Sequence, residues 1–195
     1  MTGFVATAAT VLAGGFLLPQ IIRVVRSGDV AGVSPVWAGF GLVTNLAWVF
    51  YLGRNGIWGA VLAPAVAVLT YGTTLGVIRG RAGPWARASV AYAAVLAGFA
   101  AGAGLAGIAL FLILTPVIQL APAVSAAYRS RCPSGLSPAT WALSLAEAGL
   151  WGIYGWMVAD AALVGYGLVT SAGSLLVLFR LAVLAPRVVL VSGRA

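Results

Sequence analysis

Glu147 is the residue of this 195-residue chain whose type and position most clearly suggest chemistry, because it is a carboxylic acid inside a long apolar stretch. Burying an ionisable group in an apolar helix is costly, and such groups usually face the interior of a helix bundle. Burial favours the neutral form of a carboxyl, so Glu147 can carry a proton. The alternative role is a structural hydrogen bond to a neighbouring helix. At helical spacing Glu147, Trp151 and Tyr154 share one face.

Other groups capable of chemistry are few. Asp29 and Asp160 are the remaining acids, and both fall in predicted turns, where we expect them to be solvated or paired with nearby Arg. The chain has no His, no Lys and a single Cys, Cys132. These absences exclude imidazole bases, His-ligated metals, Walker-type phosphate loops, Schiff bases and internal disulfides. We therefore expect no enzyme activity, no cofactor and no metal site.

The composition indicates a membrane protein. Hydrophobic residues make up 62% of the sequence and charged residues only 7%, against about one quarter charged in a soluble domain. So few charges cannot cover the surface of a soluble protein, whereas a lipid bilayer needs no such cover. The net charge of +8 would suggest nucleic-acid binding in a soluble protein. In a membrane protein, basic residues instead tend to lie at the cytoplasmic ends of helices. We expect the bilayer, and not nucleic acid, as partner.

The apolar runs predict seven transmembrane helices, since one span takes about 20 residues. The stretch 88–128 carries no charge; it is too long for one span and about right for two, with a break near Gly102-Ala103-Gly104. The predicted helices cover about 2–25, 35–52, 57–78, 88–103, 105–128, 138–157 and 161–183.

Arginine positions predict the orientation of these spans. When the seven helices alternate across the bilayer, every Arg except Arg54 falls on one side, which the positive-inside rule makes cytoplasmic. The amino terminus is then outside and the carboxy terminus inside. Basic residues that are all Arg, in a chain rich in Ala and Gly, are typical of a bacterial sequence. We therefore expect a multi-pass protein of the inner (plasma) membrane of a bacterium.

The sequence also contains an internal repeat. A shift of 103 residues without a gap aligns uncommon residue types, which the abundance of Ala and Leu does not explain. Each unit is three helices, and four crossings between matching positions make the two copies parallel. The predicted domains are a first three-helix bundle (1–80), a basic loop with linker helix (81–104) and a second bundle (105–195). Matched pairs include Pro19 with Pro122, Pro35 with Pro138, Trp48 with Trp151 and Tyr51 with Tyr154.

The motifs in the two copies resemble the PQ-loop superfamily, in particular the SWEET and SemiSWEET sugar transporters. The first copy reads Leu18-Pro19-Gln20-Ile21, Gly32-Val33-Ser34-Pro35 and Trp48-Val49-Phe50-Tyr51, and the second has Pro122, Gly135-Leu136-Ser137-Pro138 and Trp151-Gly152-Ile153-Tyr154-Gly155. The resemblance implies an all-α membrane fold of two parallel three-helix bundles joined by a linker helix (3-1-3).

This chain departs from the resembling family at three places. Ala123 stands where the second copy would have its Gln. Sugar-transporting members carry an Asn on the third helix of each bundle. The matching positions here are near Pro64 and near Tyr166-Gly167, and neither has an Asn. Amino-acid exporters of the same superfamily use a membrane-embedded carboxylate for proton coupling, and Glu147 resembles that group.

Four prolines are candidate hinges. Pro19 and Pro122 lie inside predicted helices, where proline removes a backbone hydrogen bond and kinks the helix. Their matched positions favour paired hinges over mere tolerance of proline in membrane helices. By resemblance, Pro35 and Pro138 are the other two hinges.

The matched aromatic residues are candidates for the solute site and gate. We expect Trp48 and Trp151 to line a central cavity with Asn45 and Glu147, the alternatives being packing between bundles for the Trp pair and interhelical hydrogen bonding for Asn45. Tyr51 and Tyr154 lie one turn further toward the outside and form either an outer gate or part of an interfacial belt. Gln20 is also assigned to the gate.

These features predict a membrane carrier for a small polar solute that works by alternating access. The resemblance makes facilitative sugar transport the leading function. Proton-coupled export of an amino acid or similar solute, using Glu147, is the close second. A receptor or scaffold without transport is a third possibility. The sequence leaves open whether the protein is a monomer or a homo-oligomer.

Overall fold

The computed structural model describes residues 1–27, 35–77, 84–129 and 138–192, and this part of the chain is entirely helical apart from short turns. The predicted all-α class is therefore confirmed. The helices are α1 (Thr2–Ser27), α2 (Pro35–Arg54), α3 (Trp58–Val77), α4 (Pro84–Arg129), α5 (Pro138–Met157) and α6 (Ala161–Ser192).

The fourth helix is broken in the middle. Ala103 and Gly104 have non-helical backbone angles, and Gly104 has a φ of 58°, in the left-handed region that favours glycine. Beyond the break the chain folds back on itself. Gly107 then lies so close to Phe99 that a Cβ at this position would overlap the Phe99 carbonyl oxygen. The two segments are called α4a (84–102) and α4b (105–129). The predicted break is confirmed, and it gives seven helical segments in the described ranges.

Three described helices have the length and apolar composition of membrane spans. They are Trp58–Gly76, Ala86–Ala121, which contains the break, and Ala161–Leu184. The first part of α1, Thr2–Gly15, is a shorter apolar helix segment. Large apolar side chains such as Phe4 and Trp156 are about 80% exposed on the outside of the fold (79% and 80%). An apolar exterior of this kind is expected where lipid covers the protein.

The helix bounds repeat along the chain with the same shift of 103 residues as the sequence motifs. The starts of α1 and α4b, of α2 and α5, and of α3 and α6 are all separated by this distance. The ends of α2 and α5 also differ by 103 residues. The last helix is the exception at its end, because α6 continues to Ser192, beyond the predicted 183.

The two copies also share one packing order. Helix α3 packs against both α1 and α2, and α6 packs against both α4 and α5. The copies meet where α1 packs against α5 and α2 packs against α4, so each contact has its counterpart in the repeat. We call α1–α3 the first group and α4b–α6 the second group.

Equivalent helix crossings are built from different side chains. In the first group Gly41 gives room for the Tyr71 ring, which would overlap any Cβ at that position. In the second group the matching residues are Ser144 and Ser174, whose hydroxyls are hydrogen-bonded at 3.1 Å. A very small residue opposite a large one in the first group is thus replaced by two small residues in the second.

Candidate functional site

A cavity of about 440 Å³ lies between the two groups and is lined by residues from α1, α2, α3, α4b, α5 and α6. The four residues predicted to bind solute all line it: Asn45, Trp48, Glu147 and Trp151. A volume of this size is within the range of small-molecule sites.

The two tryptophans occupy equivalent positions in the cavity wall and are held by edge-on aromatic contacts. Trp48 is 7% exposed and Trp151 is 5% exposed. The Trp48 ring meets Tyr51 at 6.0 Å and Tyr166 at 5.8 Å between centroids, and the Trp151 ring meets Tyr154 at 5.9 Å. All three contacts are close to perpendicular, the geometry that aromatic pairs prefer. The rings are therefore fixed with limited freedom to turn.

Glu147 is the acidic group of the cavity. Its side chain is buried, with 9% of its surface exposed. The Tyr166 hydroxyl donates a hydrogen bond to its Oε2 at 3.4 Å, and Trp151 lies beside the same carboxyl one turn along α5. No Arg is among the residues that line the cavity in the described ranges. The carboxyl thus has neutral hydrogen-bonding neighbours instead of a cationic partner.

The position equivalent to Glu147 in the first group is Thr44, and it joins three helices. Its hydroxyl shares a 2.9 Å hydrogen bond with the Tyr92 hydroxyl of α4a. It also accepts a longer one, at 3.5 Å, from the Gln119 side chain of α4b. Tyr92 in turn stacks on Phe40 at 4.4 Å between centroids. The linker segment is therefore attached to α2 at a residue that lines the cavity.

Asn45 bonds within its own helix. Its Nδ2 donates to the Gly41 carbonyl one turn earlier, at 2.8 Å. In the described structure the amide lines the cavity, and the interhelical hydrogen bond considered as an alternative is not formed.

Tyr51 and Asp160 connect the two groups at one end of the cavity. The Tyr51 hydroxyl donates to Asp160 Oδ2 at 2.8 Å, and Asp160 Oδ1 accepts the backbone N–H of Leu163 at 2.9 Å. Asp160 therefore caps the first turn of α6 as well as binding α2. The expectation of a solvated or Arg-paired Asp160 was wrong, because the side chain is 7% exposed and Tyr51 is its partner.

Tyr154 makes the symmetrical approach from the second group. Its hydroxyl lies against Gly59 at the start of α3, where an added Cβ would come within 2.8 Å of the hydroxyl oxygen. Each tyrosine thus extends from the second helix of its own group to the start of the third helix in the other. Both are buried, which is contrary to the interfacial-belt alternative.

The candidate hinges occupy two kinds of position. Pro19 and Pro122 lie inside α1 and α4b, and Pro35 and Pro138 are the first residues of α2 and α5. A proline at the first helical position removes no hydrogen bond from the helix, so a hinge there would act at the junction with the preceding loop. The side chains of Pro19, Gln20 and Pro122 are not among those described, and their hinge and gate roles stay predictions.

The chain matches no protein-family model, and no curated protein or solved structure is significantly similar to it. The resemblance to the PQ-loop superfamily therefore stays a prediction. The loop motifs at 32–34 and 135–137 that contribute to it fall in gaps between the described ranges.

Sequence reasoning missed three residues that build the site: Tyr92, Gln119 and Tyr166. None has a matching partner in the repeat, since Tyr166 aligns with Ala63 and Gln119 aligns with Phe16. Polar side chains inside uncharged apolar stretches were the available signal, because such groups seek partners within the bundle. Gln119 and Tyr166 line the cavity, and Tyr92 holds the wall residue Thr44. With Glu147 and the Thr, Ser and Asn side chains of the wall, they place polar groups among apolar and aromatic ones, an arrangement suited to reversible binding of a small solute.

Proposed function

We propose that the chain is a membrane carrier for a small polar solute and that it works by alternating access between its two three-helix groups. One observation carries this proposal. The cavity lies at the interface of two groups with equivalent helix starts and the same packing order, and the matched Trp48 and Trp151 line it. A solute site between repeats that move relative to each other is the general design of secondary transporters.

The seven helical segments are proposed to be seven membrane spans in a 3-1-3 arrangement, with α4a as the linker. The distribution of Arg supports an amino terminus outside and a carboxy terminus in the cytoplasm. In this orientation Tyr51, Tyr154 and Asp160 lie toward the outer face. Thr74, Thr140 and Trp141 of the cavity wall lie toward the cytoplasmic face, so the cavity extends in that direction.

In this proposal Tyr51 and Tyr154 form a closed outer gate. The Tyr51–Asp160 hydrogen bond holds the gate shut, and Tyr154 fills it by packing against Gly59. Both contacts join one group to the other, so separating the groups at this end must break them. Opening outward would then close the cytoplasmic side, with the four candidate prolines as hinges.

Facilitative sugar transport is the leading candidate because of the sequence resemblance, and the flat faces of Trp48 and Trp151 are suited to the apolar face of a sugar ring. Proton-coupled transport of an amino acid or similar solute is the second candidate. It is favoured by the buried Glu147 carboxyl in the cavity wall. It is also favoured by the lack of Asn near Pro64 and near Tyr166-Gly167, where the sugar transporters that the sequence resembles have one.

The decisive experiment is uptake into liposomes containing the purified protein. Sugars and amino acids would be tested with and without a pH gradient, in the parent protein and in Glu147→Gln, with Glu147→Asp as the variant that keeps the charge. Sugar uptake that is indifferent to the gradient supports the first candidate. Gradient-driven uptake that is lost in Glu147→Gln and retained in Glu147→Asp supports the second. A protein without flux for any solute, with a protein partner recovered by crosslinking, would instead be a receptor or scaffold.

A further inference from the structure

The charges on the cavity wall are unbalanced. Glu147 is the one acidic residue that lines the cavity in the described ranges, and no basic residue lines it. Because the carboxyl is about nine-tenths buried, its ionised form has little contact with water, and no basic residue of the described ranges lines the cavity to stabilise it. Two species can neutralise it in place, namely a proton or a positively charged ligand.

Aromatic side chains lie near this carboxyl. Trp151 lies beside it on α5, Tyr166 donates to it from α6, and Trp48 meets the Tyr166 ring at 5.8 Å. Tyr71 of α3 is close enough to interact electrostatically with the same group. Indole and phenol faces attract cations through the ring quadrupole, most strongly where water is excluded. A carboxylate with aromatic neighbours has the chemistry of a site for an ammonium group.

We propose that the cavity binds an organic monocation, an amine or quaternary ammonium compound without a carboxylate of its own, with Glu147 as its counter-ion. This inference rests on the proposed carrier function and names the solute class of the same site. A zwitterionic amino acid fits less well, because its carboxylate would enter a wall that has no Arg in the described ranges. A neutral sugar leaves the charge of an ionised Glu147 uncompensated.

Cation binding and proton binding exclude each other at this carboxyl. When the cation enters a cavity whose Glu147 is protonated, the proton leaves to solvent and the ammonium takes its place, so the charge of the site is conserved. The ionisable groups facing Glu147 from packed helices are Tyr166 of α6 and Tyr71 of α3, and the described side chains of α1 have none. Neither tyrosine is a cation, so the proton exchanged belongs to Glu147. The carrier would thereby exchange one proton for one cation.

Three probes of similar shape test the charge requirement: choline, its uncharged isostere dimethylbutanol, and its carboxylate-bearing relative betaine. Butylamine is added as a primary amine. Binding to the purified protein in detergent is measured by calorimetry and by quenching of Trp fluorescence. The inference predicts that choline binds more tightly than dimethylbutanol and than betaine. Butylamine should also bind more tightly than betaine. The affinity for the cation should fall as the pH is lowered, because a proton then occupies the Glu147 carboxyl. Equal binding of choline and dimethylbutanol, or no binding of either choline or butylamine, would overturn the inference.

Glu147→Gln removes the charge with little change in shape, and Glu147→Asp keeps the charge. Loss of one partner of a buried charge pair predicts a drop in cation affinity of about 30-fold or more for Glu147→Gln. Glu147→Asp should retain part of the binding, which would show that the site depends on the charge at this position. Cation affinity unchanged in Glu147→Gln would contradict the assignment. Sugar flux in liposomes without cation binding would refute the inference and leave the carrier proposal standing, whereas cation binding without any flux would do the reverse.

Discussion

Removing the Tyr51 hydroxyl should open the cavity toward the proposed outer face. The Tyr51 hydroxyl donates to Asp160 Oδ2 at 2.8 Å, and both side chains are buried. A hydrogen bond to a charged group contributes about 1.5–3 kcal/mol. If the bond exists only in the closed state, Tyr51→Phe raises the ratio of open to closed protein by about 10- to 150-fold.

Tyr154→Phe is the matched control for this change. Tyr154 occupies the equivalent position and is also buried, but in the described structure its hydroxyl lies against Gly59 without a hydrogen-bond partner. Losing a hydroxyl that makes no hydrogen bond should change the equilibrium by at most about 0.5 kcal/mol, or about twofold. The two variants remove the same atom from symmetry-related sites and should therefore differ in effect.

Thiol accessibility measures the open fraction directly. Cys132 is the only cysteine, so Cys132→Ser gives a background without thiols. Ala60→Cys then places one thiol at a fully buried position in the cavity wall. A membrane-impermeant thiol reagent added to intact cells should label this site at least about tenfold faster in Tyr51→Phe than in the parent. An unchanged rate in Tyr51→Phe, or an equal increase in Tyr154→Phe, would refute a gate made by this hydrogen bond.

Two further predictions concern stability, read from thermal unfolding in detergent. Gly167→Ala should lower the unfolding temperature, because the added Cβ would lie 2.6 Å from the Gly152 Cα and push α5 away from α6. In the control Gly152→Ala, the added Cβ meets only an ordinary 3.6 Å contact, so this variant should be tolerated. Equal stability of the two would contradict the close crossing. Tyr92→Phe should cost about 1 kcal/mol by leaving Thr44 without its 2.9 Å partner. The control Tyr128→Phe, which removes an exposed 3.3 Å hydrogen bond, should cost less than about 0.5 kcal/mol, and a larger loss there would refute the ranking.

The helices and their repeat were predictable because they depend on local sequence. Apolar runs fixed the helix positions, and the break at Ala103 and Gly104 fell where small residues interrupt a stretch too long for one span. The shared residues of the repeat also brought Trp48 and Trp151 to one cavity. Matching positions in two copies must occupy matching places once the copies pack symmetrically.

The specific polar contacts were not predictable, because each joins at least one residue that has no polar counterpart in the repeat. Asp160 aligns with Ile57, and its partner Tyr51 is 109 positions away along the chain. Tyr92 lies in the linker segment, which the repeat does not include. Such pairs depend on how whole helices are placed relative to one another. A polar residue near a helix end shows the need for a partner but not which partner meets it.

Counterflow in proteoliposomes tests the central claim, a carrier with alternating access, most directly. The vesicles are loaded with an unlabelled solute that the protein takes up, and entry of the same labelled solute is followed from outside. A carrier returns its site to the outer face faster when solute occupies it. Preloading should therefore accelerate entry of the labelled solute, which should rise transiently above its equilibrium level inside the vesicles. Labelled entry that is never accelerated by any preloaded solute of the panel would contradict alternating access between the two groups.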